Sequence, residues 1–436
     1  MARDYHYEYA SRSVPRRPPA RRRKKKKVRS RLAVIAFIGV AAFVLGFVAF
    51  WYVGSWIVGG RGPDGQTGQA AAALAVPSAD DGVEPLVDLL AFRDLAYVPV
   101  KAFHVTSRKA SDTASMGRII ALADRTEVNA IVVAVKDDRG YVAYDSKCAL
   151  ALRYGTVKNI IGDIDTLLAT MSEHGIMPIA RIVAFKDSVL VAQRPDLAVQ
   201  SSDGGLWRDF RGQAYLNPYN HEVWEYVLQV AEEAARRGFR EIQFDYVRFP
   251  DGGDLSKAKY PGQYCAKEDA IAGFLAFARP RLEALGVWMS CDTFGITVQS
   301  STDGGIGQKL EKICRNVDVY CPMIYPSLYD LGSYGVEYPA AHPDVIVTRA
   351  MTDAAARLAG TGAKGRPYLQ VFDDYNARHV KYTAELIRAQ IDAVEALGFN
   401  EWILWGAYPE AGLVPEASTF VTETTVPGVT TTAGAQ

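Results

Sequence analysis

The chain has 436 residues, 49% of them hydrophobic, with 49 basic and 49 acidic side chains. That length suits a domain of about 250 residues carrying appendages. The zero net charge is a cancellation: thirteen of the Lys/Arg lie in residues 1–31 against Asp4 and Glu8, leaving 36 basic and 47 acidic residues beyond. Basic charge confined to one tail argues against nucleic-acid binding by the folded part.

Residues 1–31 therefore read as a basic cytoplasmic tail, with 21–27 an unbroken run of Arg and Lys. Residues 32–60 contain no charged side chain. At 1.5 Å per residue this stretch crosses an apolar bilayer core of about 30 Å. Trp51, Tyr52 and Trp56 lie toward its far end, as interfacial aromatics do. The run is longer than a signal-peptide core. It predicts a single-pass transmembrane anchor, with the N-terminus cytoplasmic and the remainder extracytoplasmic. Residues 61–95, opening with Gly, Asp, Gln and Ala, read as a linker. Residues 413–436, rich in Thr, Val and Gly, read as a disordered tail.

Between them, over 96–412, short apolar runs alternate with amphipathic segments. Strands are expected at 101–105, 130–135, 178–184, 241–247, 287–293, 317–325, 366–372 and 401–406. Helices are expected around 116–123, 160–174, 222–237, 268–285, 308–315, 344–358 and 384–397. Eight strands with helices between them predict an α/β fold, a (β/α)8 TIM barrel. An open doubly wound sheet is the competing arrangement, since strand closure is not visible in sequence. No repeat with a period of 20–50 residues is present.

In a barrel the carboxyl ends of the strands converge on one face, and here they form a polar set. Strand one ends at His104 and Thr106, strand two at Lys136, Asp137 and Asp138. Strand three carries Arg181 and ends at Lys186 and Asp187. Strand four, where Glu241, Gln243 and Asp245 alternate with Ile242, Phe244 and Tyr246, brings Asp245 and then Arg248. Strand five brings Asp292, strand six Tyr325, strand seven Gln370 and Asp373, and strand eight Trp405. Carboxylates, cations and aromatic rings around one rim suit sugar chemistry. Glycoside hydrolysis needs two carboxyl groups, and aromatic faces match pyranose rings. The plainer reading makes Tyr325 and Trp405 core aromatics, and Asp137, Asp138 and Asp374 solvated loop charges.

Other chemistries lack their residues. The six histidines do not cluster, and His221-Glu222 has no second histidine at HExxH spacing. The five cysteines show no CxxC, and Cys291 and Cys321 read as buried small residues rather than a bridge. There is no GxSxG elbow and no GxxxxGK[ST] loop. No metal or cofactor is expected.

Several segments in order make the chain resemble a bacterial family described as "putative glycosyl hydrolase domain", the domain-of-unknown-function 4015 family. They are 129–138, ending Lys136-Asp137-Asp138, and 179–187, around Arg181. Three more follow: Phe244-Asp245-Tyr246-Val247-Arg248-Phe249-Pro250, Ser290-Cys291-Asp292-Thr293-Phe294-Gly295 and Pro322-Met323-Ile324-Tyr325-Pro326-Ser327. The resemblance spans about 98–405 and implies a TIM barrel related to glycoside hydrolases. Two positions depart from the family's pattern. Leu328 stands where it has histidine, and Val371 where it has aspartate, which leaves Asp373 as a substitute carboxylate.

The expectation is a membrane-anchored extracytoplasmic glycoside hydrolase whose partner is a polysaccharide. Asp245 would be the nucleophile or stabilising carboxylate and Asp292 the general acid/base. The two roles are exchangeable, and Asp373 could replace either. Substrate contacts are assigned to Lys136, Arg181, Asp187, Arg248, Tyr325, Gln370, Asp373 and Trp405. A glycan-binding barrel without hydrolytic activity is the alternative.

Overall fold

The computed structural model describes residues 97–376 and 378–406. Eight parallel strands close on themselves: β1 Lys101–Val105, β2 Ala130–Lys136, β3 Met177–Val183, β4 Glu241–Asp245, β5 Trp288–Phe294, β6 Val319–Ile324, β7 Tyr368–Gln370 and β8 Trp402–Trp405. Closure rests on three pairings. Lys101 of β1 faces Trp402 of β8, and Tyr368 of β7 faces both Met323 of β6 and Ile403 of β8. The fold is thus the barrel rather than the open sheet. Between the strands run α1 Thr113–Ala123, α2 Ile164–Glu173, α3 His221–Arg237, α4 Lys267–Glu283, α5 Leu310–Cys314, α6 Pro343–Leu358 and α7 Ala384–Ala396.

Local chemistry sets these boundaries. The Asn220 side chain accepts the Glu222 N–H to start α3, and Gly238 ends it at φ +113° with Arg236 and Arg237 in the last turn. β4 stops at Asp245, two residues before the predicted end, because Tyr246 adopts φ +50°. β7 is short because Pro367 has no N–H to give the ladder. The connections from β3 to α3 and from β4 to α4 form an unpredicted excursion. Gln200–Ser201 of the first pairs antiparallel with Ala258–Lys259 of the second, beside a cluster of Val183, Val199, Trp207, Tyr215 and Tyr246. That cluster packs over the ends of β3 and β4.

The period of two separates the strand faces. Phe103, Ile131, Val133, Ile182, Ile242, Phe244, Cys291 and Leu404 join the core between strands and helices. Ala102, Val132, Ile179, Cys321, Tyr368 and Ile403 line the lumen, which is a packed interior built in layers. At the amino end, Arg366 donates to both Glu241 oxygens, at 2.8 and 2.9 Å, and to Glu401 at 2.7 Å. Above it the Tyr368 hydroxyl donates to Gln243 Oε1 at 2.6 Å. The polar layer at the carboxyl end is the site described below. None of the five cysteines is paired, and Cys291 and Cys321 are fully buried on opposite faces of the sheet.

The expected basic tail, anchor and linker (1–31, 32–60 and 61–95) and the expected disordered segment 413–436 lie outside the described residues. Among the described residues, no helix is long and apolar enough to cross a membrane.

Candidate active site

Asp245 ends β4 with its side chain inward, 3% exposed. Arg181, inward on β3 and opposite Gln243 in the ladder, donates to Asp245 Oδ2 through Nε at 2.9 Å and Nη2 at 2.6 Å. The Tyr246 N–H reaches Oδ1 at 2.5 Å. Three donors thus converge on a group that, as a carboxylate, accepts all of them. The left-handed backbone of Tyr246 is strained for an aromatic residue, and such strain gathers at functional sites. Arg181 also donates to Asp138 Oδ1 at 2.9 Å. Against a desolvation penalty, Arg181 and Lys186 hold the Asp138 carboxyl below its ordinary value.

Asp292, on the neighbouring β5, is 1% exposed, and its Oδ1 has no hydrogen-bond partner among the described residues. Burial pushes its carboxyl well above the ordinary range. Repulsion from Asp245 adds to this, and Arg181 and the Tyr368 hydroxyl offset it only in part. Adjacent parallel strands bring the two aspartates to one end of the lumen: Phe244 faces Cys291, so each aspartate follows its paired residue. The result is an ion-paired carboxylate beside a carboxyl group that retains its proton.

Trp405 closes the layer. His104 stacks on its indole at 3.8 Å between centroids, and the Arg181 guanidinium lies 5.3 Å from the ring centre. One face of this expected sugar platform is therefore covered by imidazole. Burial and the positive charges of Arg181 and Lys109 push the His104 pKa well down, so the ring is neutral; its buried Nε2 has no hydrogen-bond partner among the described residues. Sequence reasoning noticed His104 at a strand end but gave it no role. The stack on Trp405 arises from residues three hundred positions apart.

The remaining candidates lie apart from this pair of aspartates. Lys136 and Asp187 form a fully buried ion pair at 2.7 Å, with Lys136 also donating to Val183 O and lying over the Tyr226 ring of α3. A register shift between Ala134 and Lys136 turns Lys136 out of the lumen. Asp187 accepts the Leu190 N–H as a helix cap. Arg248 does not pair with Asp245. Expected as a substrate contact, it instead binds Asp251 at 2.8 Å and packs against Tyr246 and Phe294, and Arg181 is the cation on Asp245. Gln370 is committed to Ser327, accepting its N–H and donating to its hydroxyl at 2.6 Å, which ties β7 to the segment after β6. Tyr325 is buried in the lumen cluster, edge-on to Phe372.

Asp373 is exposed and accepts the Tyr382 N–H. Asp374, expected to be solvated, is buried and accepts the Tyr338 hydroxyl. Val371 belongs to the core outside the barrel, whereas Leu328 packs on the lumen cluster. Among the described residues, no group of three His, Cys, Asp or Glu side chains could hold a metal ion.

The family model described as "Putative glycosyl hydrolase domain", of the domain-of-unknown-function 4015 family, matches residues 102–410. No curated protein matches the chain. Among solved structures, a hypothetical protein from Ruminiclostridium thermocellum ATCC 27405 is 39% identical, over 44% of this chain and 96% of its own, with a TM-score of 0.41. The glycoside hydrolase domain of PgaB (BpsB) from Bordetella bronchiseptica is 14% identical, over 71% of this chain and 94% of its own, with a TM-score of 0.53. That likeness is one of fold. The glycoside hydrolase domain of PelA from Pseudomonas aeruginosa is 12% identical, over 70% of this chain and 95% of its own, with a TM-score of 0.41.

Proposed function

We propose, on the premise that this chain belongs to the family described as "putative glycosyl hydrolase domain", that its barrel hydrolyses glycosidic bonds of a cell-envelope or extracellular polysaccharide. Asp292 is the general acid/base and Asp245 the nucleophile or the carboxylate that stabilises the transition state. The observation that carries this reading is the electrostatic contrast between two neighbouring lumen carboxyls. Asp292 is held protonated by burial and by Asp245, while Asp245 receives three N–H donors. Glycoside cleavage requires one carboxyl to give a proton to the leaving oxygen and another to meet the developing oxocarbenium ion. Inward positions on adjacent strands about 4.8 Å apart favour the short carboxyl separation of retaining enzymes, about 5–5.5 Å. Arg181 orients Asp245, and Trp405 with His104 offers a flat edge for a sugar ring.

The basic tail followed by the uncharged stretch 32–60 supports a membrane anchor with the barrel outside the cytoplasm. A second reading, glycan binding without cleavage, is favoured by Leu328, an apolar residue packed against the lumen where the family pattern has histidine. Incubating the full-length protein with a panel of envelope and matrix polysaccharides separates the two. Reducing ends should accumulate with at least one polymer. Binding without product selects the second reading.

A further inference from the structure

The carboxyl-terminal face of the barrel holds a second concave site that the proposed chemistry does not use. A pocket of about 340 Å³ opens between the segment following β1 and the two segments that follow β2. Three cations from three separate stretches line it: Arg108, Arg139 and Lys158. Their side chains are exposed, and none forms an ion pair among the described residues. Lys158 lies 5.0 Å above the Tyr141 ring, which also lines the pocket and orients that ammonium. Ser107 and Asn159 add polar groups to the wall.

The acidic member is Asp137, and its Oδ1 is occupied by the N–H groups of Arg139, Gly140 and Tyr141 at 2.9–3.0 Å. It fixes the turn that presents Arg139. This leaves two positive charges uncompensated in a chain whose residues beyond 31 carry 47 acidic against 36 basic side chains. The next residue, Asp138, accepts from Arg181 in the lumen. One turn thus forms the wall between the pocket and the paired aspartates. A ligand extending from the lumen over that wall would meet the cations.

We propose that this pocket is an outlying subsite for an anionic substituent, carboxylate or phosphate, of the polysaccharide cleaved in the lumen. The inference rests on the glycosidase reading and adds the substrate class, an acidic glycan. Cations that form no ion pair among the described residues keep their donors available to such a group, and the concave wall removes water from it. Being exposed, the contacts are sensitive to salt.

The test uses full-length protein and two matched pairs of polymers. Polygalacturonate is compared with its carboxyl-reduced form, and phosphomannan with its dephosphorylated form. One acidic polymer should bind at least about tenfold more tightly than its neutral counterpart at low salt. The pair that shows the preference identifies the anion as carboxylate or phosphate. The double variant Arg139→Ala/Lys158→Ala should lose that preference while its thermal unfolding is unchanged. No preference in either pair, or a preference the double variant retains, overturns the proposal. Product from neutral glycans without such a preference overturns it and leaves the glycosidase reading intact. Preferential binding with no product from any glycan contradicts the glycosidase reading and spares the pocket.

Discussion

Burial and the nearby Asp245 keep a proton on Asp292 in the folded chain, whereas the unfolded chain releases it around the ordinary value of 3.8. Above that pH the native state binds more protons than the unfolded state, so this group's contribution to stability falls as pH rises toward the raised native pKa. Asp292→Asn removes the penalty. Its melting temperature should exceed that of the parent at pH 7, and the gap should narrow toward pH 4. An equal shift at both pH values would contradict the raised pKa. Arg181 works through Asp245 as a positioning residue and is the cation that opposes proton retention by Asp292. Arg181→Gln should lower kcat about 100-fold and move the alkaline limb of the pH–rate profile upward. Arg181→Lys should keep the limb in place but lose the paired geometry. A limb unmoved by Arg181→Gln would reduce Arg181 to a packing role. The inward placement of Asp245, Asp292 and Arg181 was legible from strand periodicity and position near a strand end, whereas Arg181, expected to contact substrate, is paired with Asp245. Lys136 was directed to the wrong face by a register shift invisible in sequence, and Asp187 went with it. Arg248 follows Asp245 closely in sequence, but the positive φ of Tyr246 redirects the chain, and the arginine reaches Asp251.

The barrel strands are joined at their amino ends by one buried arginine. Arg366, just before β7, binds Glu241 of β4 and Glu401 beside β8, and Glu241 also accepts the Ser290 hydroxyl of β5. Arg366→Met leaves Glu241, wholly buried, without its cation. The expected cost is about 3–5 kcal/mol, read as a lower urea midpoint. The fraction that stays folded should keep the parent's pH–rate profile, because the network lies at the end of the lumen away from Asp245. A loss below about 1 kcal/mol would show the ion pair to be dispensable. The order of strands and helices was readable because each has the hydrophobic period of its kind, and α3 carries both of its stop signals. The early end of β4 and the late start of β7 were not, since each depends on one backbone constraint, Tyr246 or Pro367. The small antiparallel pair between the loops after β3 and β4 was missed because its paired segments are two residues long and give no period.

Charge segregation along the chain supports the proposed membrane orientation. With residues 21–27 on the cytoplasmic side of 32–60, protease added to intact cells should remove the barrel and leave the basic tail protected. Protection of both would contradict the orientation. The proposed hydrolysis depends on two carboxyl groups at one end of the lumen. The most direct measurement is turnover of the polysaccharide substrate by Asp245→Asn and Asp292→Asn in the full-length protein. Each should fall by about 10²–10⁴-fold while glycan binding persists, and azide should partly restore Asp292→Asn. Near-parental turnover by Asp245→Asn would contradict the account.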